Sequence, residues 1–230
     1  MPQLHVTDDL ASVAGPLLAR LLADRVALAG RAVLAVPGGS TPGPTLRWLA
    51  DHLPDPVHDA LTVTFVDERH LPVDADDDYA DLPESSNTRL AWDHWFRHRP
   101  PRVLPWAVPG SLEEARAHLD AAVSALGGID VALLGAGPDG HVASLFPGHE
   151  HPAGGTVVAV TNSPKPPAER LSLSAHALKR AGVRVLLARG ADKADTLARA
   201  WAGDPSLPLT HAAPEHWVLD PAAASRLESP

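Results

Sequence analysis

Four short apolar runs, each stopped by residues that cannot continue a strand, constrain this chain more than any other feature. Residues 32–36, 61–66, 129–134 and 183–188 have the length and the aliphatic content of buried strands. Stretches of helical spacing lie between them. Leu10, Val13, Ala14, Leu17, Leu18, Leu21 and Leu22 form one apolar stripe. Ala115, Leu119, Ala122, Val123 and Leu126 form another behind the capping box Ser111-x-x-Glu114, and Ala194, Leu197, Ala198 and Trp201 a third. Strands alternating with helices predict an α/β fold, a mostly parallel sheet covered on both faces. The carboxyl ends of parallel strands share one edge, and open α/β sheets hold their ligands there.

The run 129–134 empties into Gly135, Gly137, Pro138 and Gly140, a tight exposed turn that carries Asp139 and His141. Imidazole is the side chain whose ordinary pKa lies near neutrality, so His141 is the candidate general base. The chain has 13 histidines, and most should be solvated or capping. The glycine frame behind a strand singles out this one. The same letters fit G-x-G-x-x-G, but a dinucleotide site wants an acidic residue about 20 positions on. The next apolar run, 157–160, is followed by Thr161-Asn162 instead.

Strand 32–36 runs into Pro37-Gly38-Gly39-Ser40-Thr41-Pro42, and a helix is predicted over 44–53. Glycine backbone, two hydroxyls and the helix amino end together suit an anion. A plain strand-to-helix turn with a hydroxyl cap would use the same residues. The lysine of a Walker loop is missing. At the tip of strand 61–66 come Asp67, Glu68 and Arg69, read as a charged loop in which Asp67 and Arg69 are functional. Asp74, Asp76 and Asp78 open like a calcium loop, but Tyr79 and Ser85 occupy the places of its glycine and glutamate. That stretch reads as a polar lid or loop running to Ser86-Asn87-Thr88. His94 and His98 lie four apart on a predicted helix 87–96 without a third ligand nearby, so no metal is expected.

Further strands are predicted at 4–6 on an edge, 102–108, 156–160, 171–173 and, closing the sheet, 216–219. Thr7 or Asp8 should cap the first helix, with a kink at Gly15-Pro16 or a start near Pro16. A helix is predicted at 175–180. Lys165 and Arg170 sit on a proline-stiffened loop, 161–170, from which they could grip an anion opposite Gly38 to Thr41.

Composition narrows the classes. The chain has no cysteine, which rules out disulfides and thiolate sites and fits the cytoplasm. Its net charge of −9 argues against nucleic acid as a partner. No apolar run approaches the length of about 18 residues that a membrane span needs, and no secretory signal is visible. Residues 1–230 are expected to form a single domain.

Taken in order, four strings resemble the 6-phosphogluconolactonase family. They are P-G-G-S-T-P at 37–42, D-E-R at 67–69 with S-N-T at 86–88, G-A-G-P-D-G-H-V-A-S-L-F-P-G at 135–148, and S-P-K-P-P-A-E-R at 163–170. The resemblance runs on to a lysine-bearing helix at Lys193 and to Trp217. It implies a modified Rossmann-like α/β fold of the sugar-phosphate isomerase type, with a smaller lid-like part. It also implies hydrolysis of 6-phospho-D-glucono-1,5-lactone without cofactor or metal, by a cytoplasmic monomer or weak homo-oligomer whose partner is the small lactone. The residues and the resemblance converge on one site. Gly38, Gly39, Ser40, Thr41, Lys165 and Arg170 are expected on the phosphate, His141 as the base and Arg69 on the oxyanion. Asp67 is expected to orient Arg69 or the water. The departure from the family pattern is the longer acidic insert at 74–84.

Two alternatives share the fold. Glucosamine-6-phosphate deaminase resembles D-E-Y where this chain has Asp67-Glu68-Arg69, and it carries an asparagine-glutamate pair where this chain has residues 144–148. A non-catalytic sugar-phosphate sensor would need an added DNA-binding segment, and none is read ahead of Leu4.

Overall fold

The computed structural model describes residues 2–74, 77–149 and 154–227. The strands are β1 (Gln3–Val6), β2 (Ala32–Val36), β3 (Leu61–Phe65), β4 (Asp67–Arg69), β5 (Arg102–Val103), β6 (Val131–Gly135), β7 (Val157–Val160), β8 (Arg170–Leu173), β9 (Val183–Ala188) and β10 (His216–Leu219). The helices are α1 (Leu10–Ala29), α2 (Gly43–His52), α3 (Asp55–Asp59), α4 (Asn87–Ala91), α5 (Leu112–Ala125), α6 (Ala175–Arg180), α7 (Ala194–Trp201), α8 (Pro208–Ala212) and α9 (Pro221–Ala224).

Seven strands form one sheet in the order β1-β10-β9-β6-β2-β3-β5, every pair parallel. From β2 the chain steps outward through β3 to β5, and from β6 it steps the other way through β9 to β10. The direction reverses between β2 and β6, which pair through Leu34 with Val131 and Ala35 with Ala132. Such a reversal opens a crevice beyond the carboxyl ends of the two strands. The two innermost strands, β2 and β6, are apolar along their whole length because helices cover both faces; β2 is buried at all five positions. Strand β10, expected to close the sheet, lies one place in from the edge, and β1 is the edge strand.

A second sheet has three antiparallel strands in the order β4-β8-β7. Here the charged loop expected at 67–69 is corrected. Asp67, Glu68 and Arg69 are themselves β4, paired with Ser172, Leu171 and Arg170 of β8. Backbone pairing does not depend on side-chain polarity. The two-residue period puts Asp67 and Arg69 on one face and Glu68 on the other.

Other differences have local causes. Asp9, rather than Thr7 or Asp8, caps α1, accepting from the amides of Ala11 and Ser12 at 3.1 and 3.3 Å. The helix runs unbroken through Pro16, and Gly15 is where it meets α2: a Cβ there would lie 2.3 Å from Trp48 Cδ2. The strand expected over 102–108 ends at Val103. Leu104 still donates to Val63 at 2.9 Å, and Pro105 then has no N–H to continue the ladder. The helix expected over 87–96 loosens into a π turn at Trp92–Phe96. Lys193 closes a 3₁₀ turn, Ala191–Lys193, ahead of α7. Asp76, one of the three aspartates in the calcium-like spacing, lies outside the described residues. Among the described residues no helix is long and apolar enough to cross a membrane.

Candidate active site

The carboxyl ends of β9, β6, β2 and β3 are neighbours, so the segments that follow them meet over the crevice. Together with the loop before β8 they enclose a cavity of about 500 Å³. Its lining includes Gly38, Gly39, Ser40, Thr41, Asp67, Arg69, His141, Lys165 and Arg170, all nine residues singled out from the sequence. Asn87, Asp192 and Lys193 line it as well. Four cations (Arg69, Lys165, Arg170, Lys193) face two carboxylates (Asp67, Asp192), so this concavity favours an anion although the whole chain carries −9.

His141 is held tightly. Its Nδ1 lies 2.5 Å from Asp139 Oδ1, and its ring packs on Phe146 with centroids 4.8 Å apart. With Nδ1–H donated to Asp139, the free lone pair of the neutral ring is on Nε2, which has no hydrogen-bond partner among the described residues. Burial pushes the imidazole below its ordinary 6.5, and the Lys165 charge adds to this. Asp139 and Asp67 pull upward and are outweighed. Burial works to raise Asp139, but the charge and hydrogen bonds of His141 overcome it and hold that carboxyl below its ordinary value.

The glycines of this turn have a packing cause. A Cβ on Gly137 would sit 2.0 Å from His141 Cε1 and 2.6 Å from Asp139 Oδ1, so the His–Asp pair occupies the space of a side chain. Gly140, at φ +85°, is pressed by Thr196 and Leu207, and Thr196 Oγ1 donates to the Pro138 carbonyl at 2.7 Å. The G-x-G-x-x-G spacing thus serves an imidazole.

Gly38 is constrained from the other side: a Cβ there would fall 1.7 Å from Asn87 Oδ1. The hydroxyls of Ser40 and Thr41 line the cavity at the amino end of α2 and have no hydrogen-bond partner among the described residues. Asn87 Nδ2 also donates to the Asp67 carbonyl at 2.8 Å and to Asp67 Oδ1 at 3.1 Å. The other Asp67 oxygen accepts from Ser144 Oγ at 2.6 Å.

Two expectations are corrected by these contacts. Among the described residues Asp67 makes no hydrogen bond or ion pair with Arg69. Both point to the same face of β4, but alternate positions on a strand stand about 7 Å apart, so they run side by side. Arg69 instead donates through Nη1 to the Ser85 carbonyl, and its buried Nε has no partner among the described residues. Arg170 does not sit on the proline-stiffened loop expected at 161–170 but just after it. It is the first residue of β8, 5% exposed, and its guanidinium donates to the carbonyls of Lys165, Pro166 and Pro167 at 3.0–3.3 Å. Burial and the facing Arg69 charge push Arg170 below its ordinary value, against Asp67 and Glu68. It braces the segment that presents Lys165.

Asp139 as the partner of His141, and Asn87 as the link between Asp67 and Gly38, escaped the sequence. The D-x-H spacing was a signal for the first, since Gly140 at positive φ folds the two side chains together. Asn87 stood in the S-N-T string, but nothing in that string tied it to Asp67 or Gly38. Lys193 donates through Nζ to the Arg189 carbonyl at 2.9 Å and to Asp192 at 3.0 Å, on the turn after β9.

Comparison with known proteins bears on this geometry. The family model described as "Glucosamine-6-phosphate isomerases/6-phosphogluconolactonase" matches residues 6–221. A 6-phosphogluconolactonase of Mycobacterium tuberculosis is 34% identical over 242 residues, covering 97% of this chain and 96% of the relative. One from Caulobacter vibrioides is 37% identical over 197 residues, covering 81% of each. The fold superposes on the 6-phosphogluconolactonase from Trypanosoma cruzi with a TM-score of 0.83 at 24% identity, over 100% of this chain and 98% of that one; this likeness concerns the fold. The chain belongs to the family of glucosamine-6-phosphate isomerases and 6-phosphogluconolactonases.

Proposed function

We propose that this chain, as one domain spanning residues 1–230, hydrolyses 6-phospho-D-glucono-1,5-lactone to 6-phosphogluconate, the second step of the pentose phosphate pathway. One observation carries the assignment: a neutral imidazole, backed by Asp139 and open at Nε2, shares a cavity with a glycine-hydroxyl loop and a cationic rim. A sugar ester with a phosphate at one end needs both. The phosphate is held by the backbone and hydroxyls of Gly38, Gly39, Ser40 and Thr41 and by Lys165, with Lys193 on the same rim and Arg170 bracing the Lys165 segment. At the other end Nε2 of His141 takes a proton as water attacks the lactone carbonyl. The ring C–O bond then breaks, and the same proton passes to the departing ring oxygen, which becomes a hydroxyl. Arg69 stabilises the oxyanion between these steps. Asp67, fixed by Asn87 and Ser144, sets the water and the local potential. The product acid ionises and releases its proton to solvent.

Residues 144–148, from which Phe146 packs on His141, hold no glutamate where the deaminase carries an asparagine-glutamate pair, so this stretch offers no acid-base partner for sugar-ring opening. A monomer or weak homo-oligomer in the cytoplasm, without nucleic-acid or membrane partners, fits this reading. The test follows acid release from the lactone and ammonia release from glucosamine 6-phosphate by the purified chain. Turnover is expected with the phosphorylated lactone and none with glucosamine 6-phosphate, and the reverse pattern sinks the assignment.

A further inference from the structure

Glu68 stands on the opposite face of β4 from Asp67 and Arg69, out of the cavity and fully buried. Its carboxylate accepts five hydrogen bonds. Oε1 takes the amides of Arg69 and Asn87, each at 2.8 Å. Oε2 takes the Thr88 amide and hydroxyl at 2.8 Å and the Ser86 hydroxyl at 2.9 Å. No cation pairs with it among the described residues. A buried carboxylate without a counter-ion is costly, and it persists where donors converge on it. Burial pushes the carboxyl up from its ordinary 4.5, against the hydrogen bonds of Asn87, Thr88 and Arg69. Every group facing it is a donor, so a protonated or amide side chain would turn a hydrogen against a hydrogen.

Four of those five donors belong to the amino end of α4, where Ser86 is the cap and Asn87 the first helical residue. Fixing the Asn87 backbone fixes its side chain, which touches both halves of the site. Its Nδ2 holds Asp67, and its Oδ1 lies where a Gly38 Cβ would be. We infer that Glu68 is a positioning residue: its carboxylate locks the start of α4 to β4, so that Asn87 keeps Asp67 and the Gly38 backbone at one spacing. The kinetic part of this inference rests on the lactonase reading; the geometric part does not.

The test compares wild type, Glu68→Gln, Asn87→Ala and the double variant, each checked by circular dichroism to be folded. Small displacements of a positioned site cost up to about 100-fold. Glu68→Gln is expected to lower kcat/KM by between about tenfold and 100-fold. The double variant should be within about twofold of the worse single variant, because both act along one path. A fall in Tm with a kcat/KM loss smaller than about tenfold, or losses that multiply in the double variant, would overturn the inference. Backbone amide resonances of Gly38 and Gly39 in the ligand-free protein read the geometry without turnover. They are expected to shift in Glu68→Gln, and unmoved resonances overturn the inference as well. If the wild type fails to hydrolyse the lactone, the functional assignment falls while these resonances still decide the role of Glu68. Should Glu68→Gln not fold, Thr88→Val removes a single donor. It should lose roughly threefold to tenfold in kcat/KM and shift the same resonances; wild-type values in both would refute the role.

Discussion

His141 and Lys165 reach the same cavity by different means. His141 rides on a turn closed from several sides: Gly137 beneath the ring, Asp139 on Nδ1, Phe146 against its face, Thr196 and Leu207 over Gly140. Lys165 extends from an exposed loop whose backbone is tied by Ser163 and by the Arg170 guanidinium, and its Nζ has no partner among the described residues. One group is set in place before any ligand arrives, and the other is left free to find one. Groups that move protons need fixed geometry, whereas a charge that holds a phosphate works over a range of positions.

That contrast can be broken by substitution. His141→Ala should lower kcat by roughly 100- to 10,000-fold while calorimetry shows 6-phosphogluconate binding little changed. Turnover within about tenfold of wild type would take His141 out of the chemistry. Arg69→Ala comes next, at roughly 100- to 1,000-fold in kcat with a smaller change in KM; a pure KM effect would move Arg69 to the binding side. Lys165→Ala should raise KM roughly tenfold or more and leave kcat close to wild type.

The same variant sharpens the comparison through pH. Burial holds the His141 pKa below 6.5, so the base form persists into mild acid, and the acid limb of kcat/KM should have its midpoint below 6.5. The Lys165 charge contributes to that depression, so Lys165→Ala should move the midpoint upward. A midpoint that stays put or moves down separates the two residues electrostatically. The smallest effect belongs to Ser144→Ala, which strips one donor from buried Asp67. It should cost about 1.5–3 kcal/mol of stability in denaturant unfolding, with a minor change in turnover.

The two sheets also differ in how far the sequence disclosed them. Residues 32–36, 183–188 and 216–219 match β2, β9 and β10 end to end, because strands covered on both faces read as near-continuous apolar runs, broken here only by Arg184 and His216 near the strand starts. Strand β4 is made of three charged residues that line a site on one face and bury a carboxylate on the other, so its letters read as a loop. Pro16 misled for a related reason. Helix α1 is held by its contact with α2, and packing outweighs a local penalty. In the site, the residues on strand tips were legible because parallel topology gathers such tips on one edge. Pairings made only by folding, such as Asn87 with Asp67 or Arg170 with the Lys165 carbonyl, left no trace in spacing.

Arg69 and Arg170 are register partners across β4 and β8. Two guanidinium groups set abreast repel one another until something negative settles near them. That repulsion would be eased by negative charge entering the cavity, such as the oxyanion proposed at Arg69, so an occupied site should tighten this part of the molecule as well as fill it. Inorganic phosphate alone should protect the chain against heating, and the protection should fall when Lys165, or Arg170 that braces its segment, is replaced by a neutral residue.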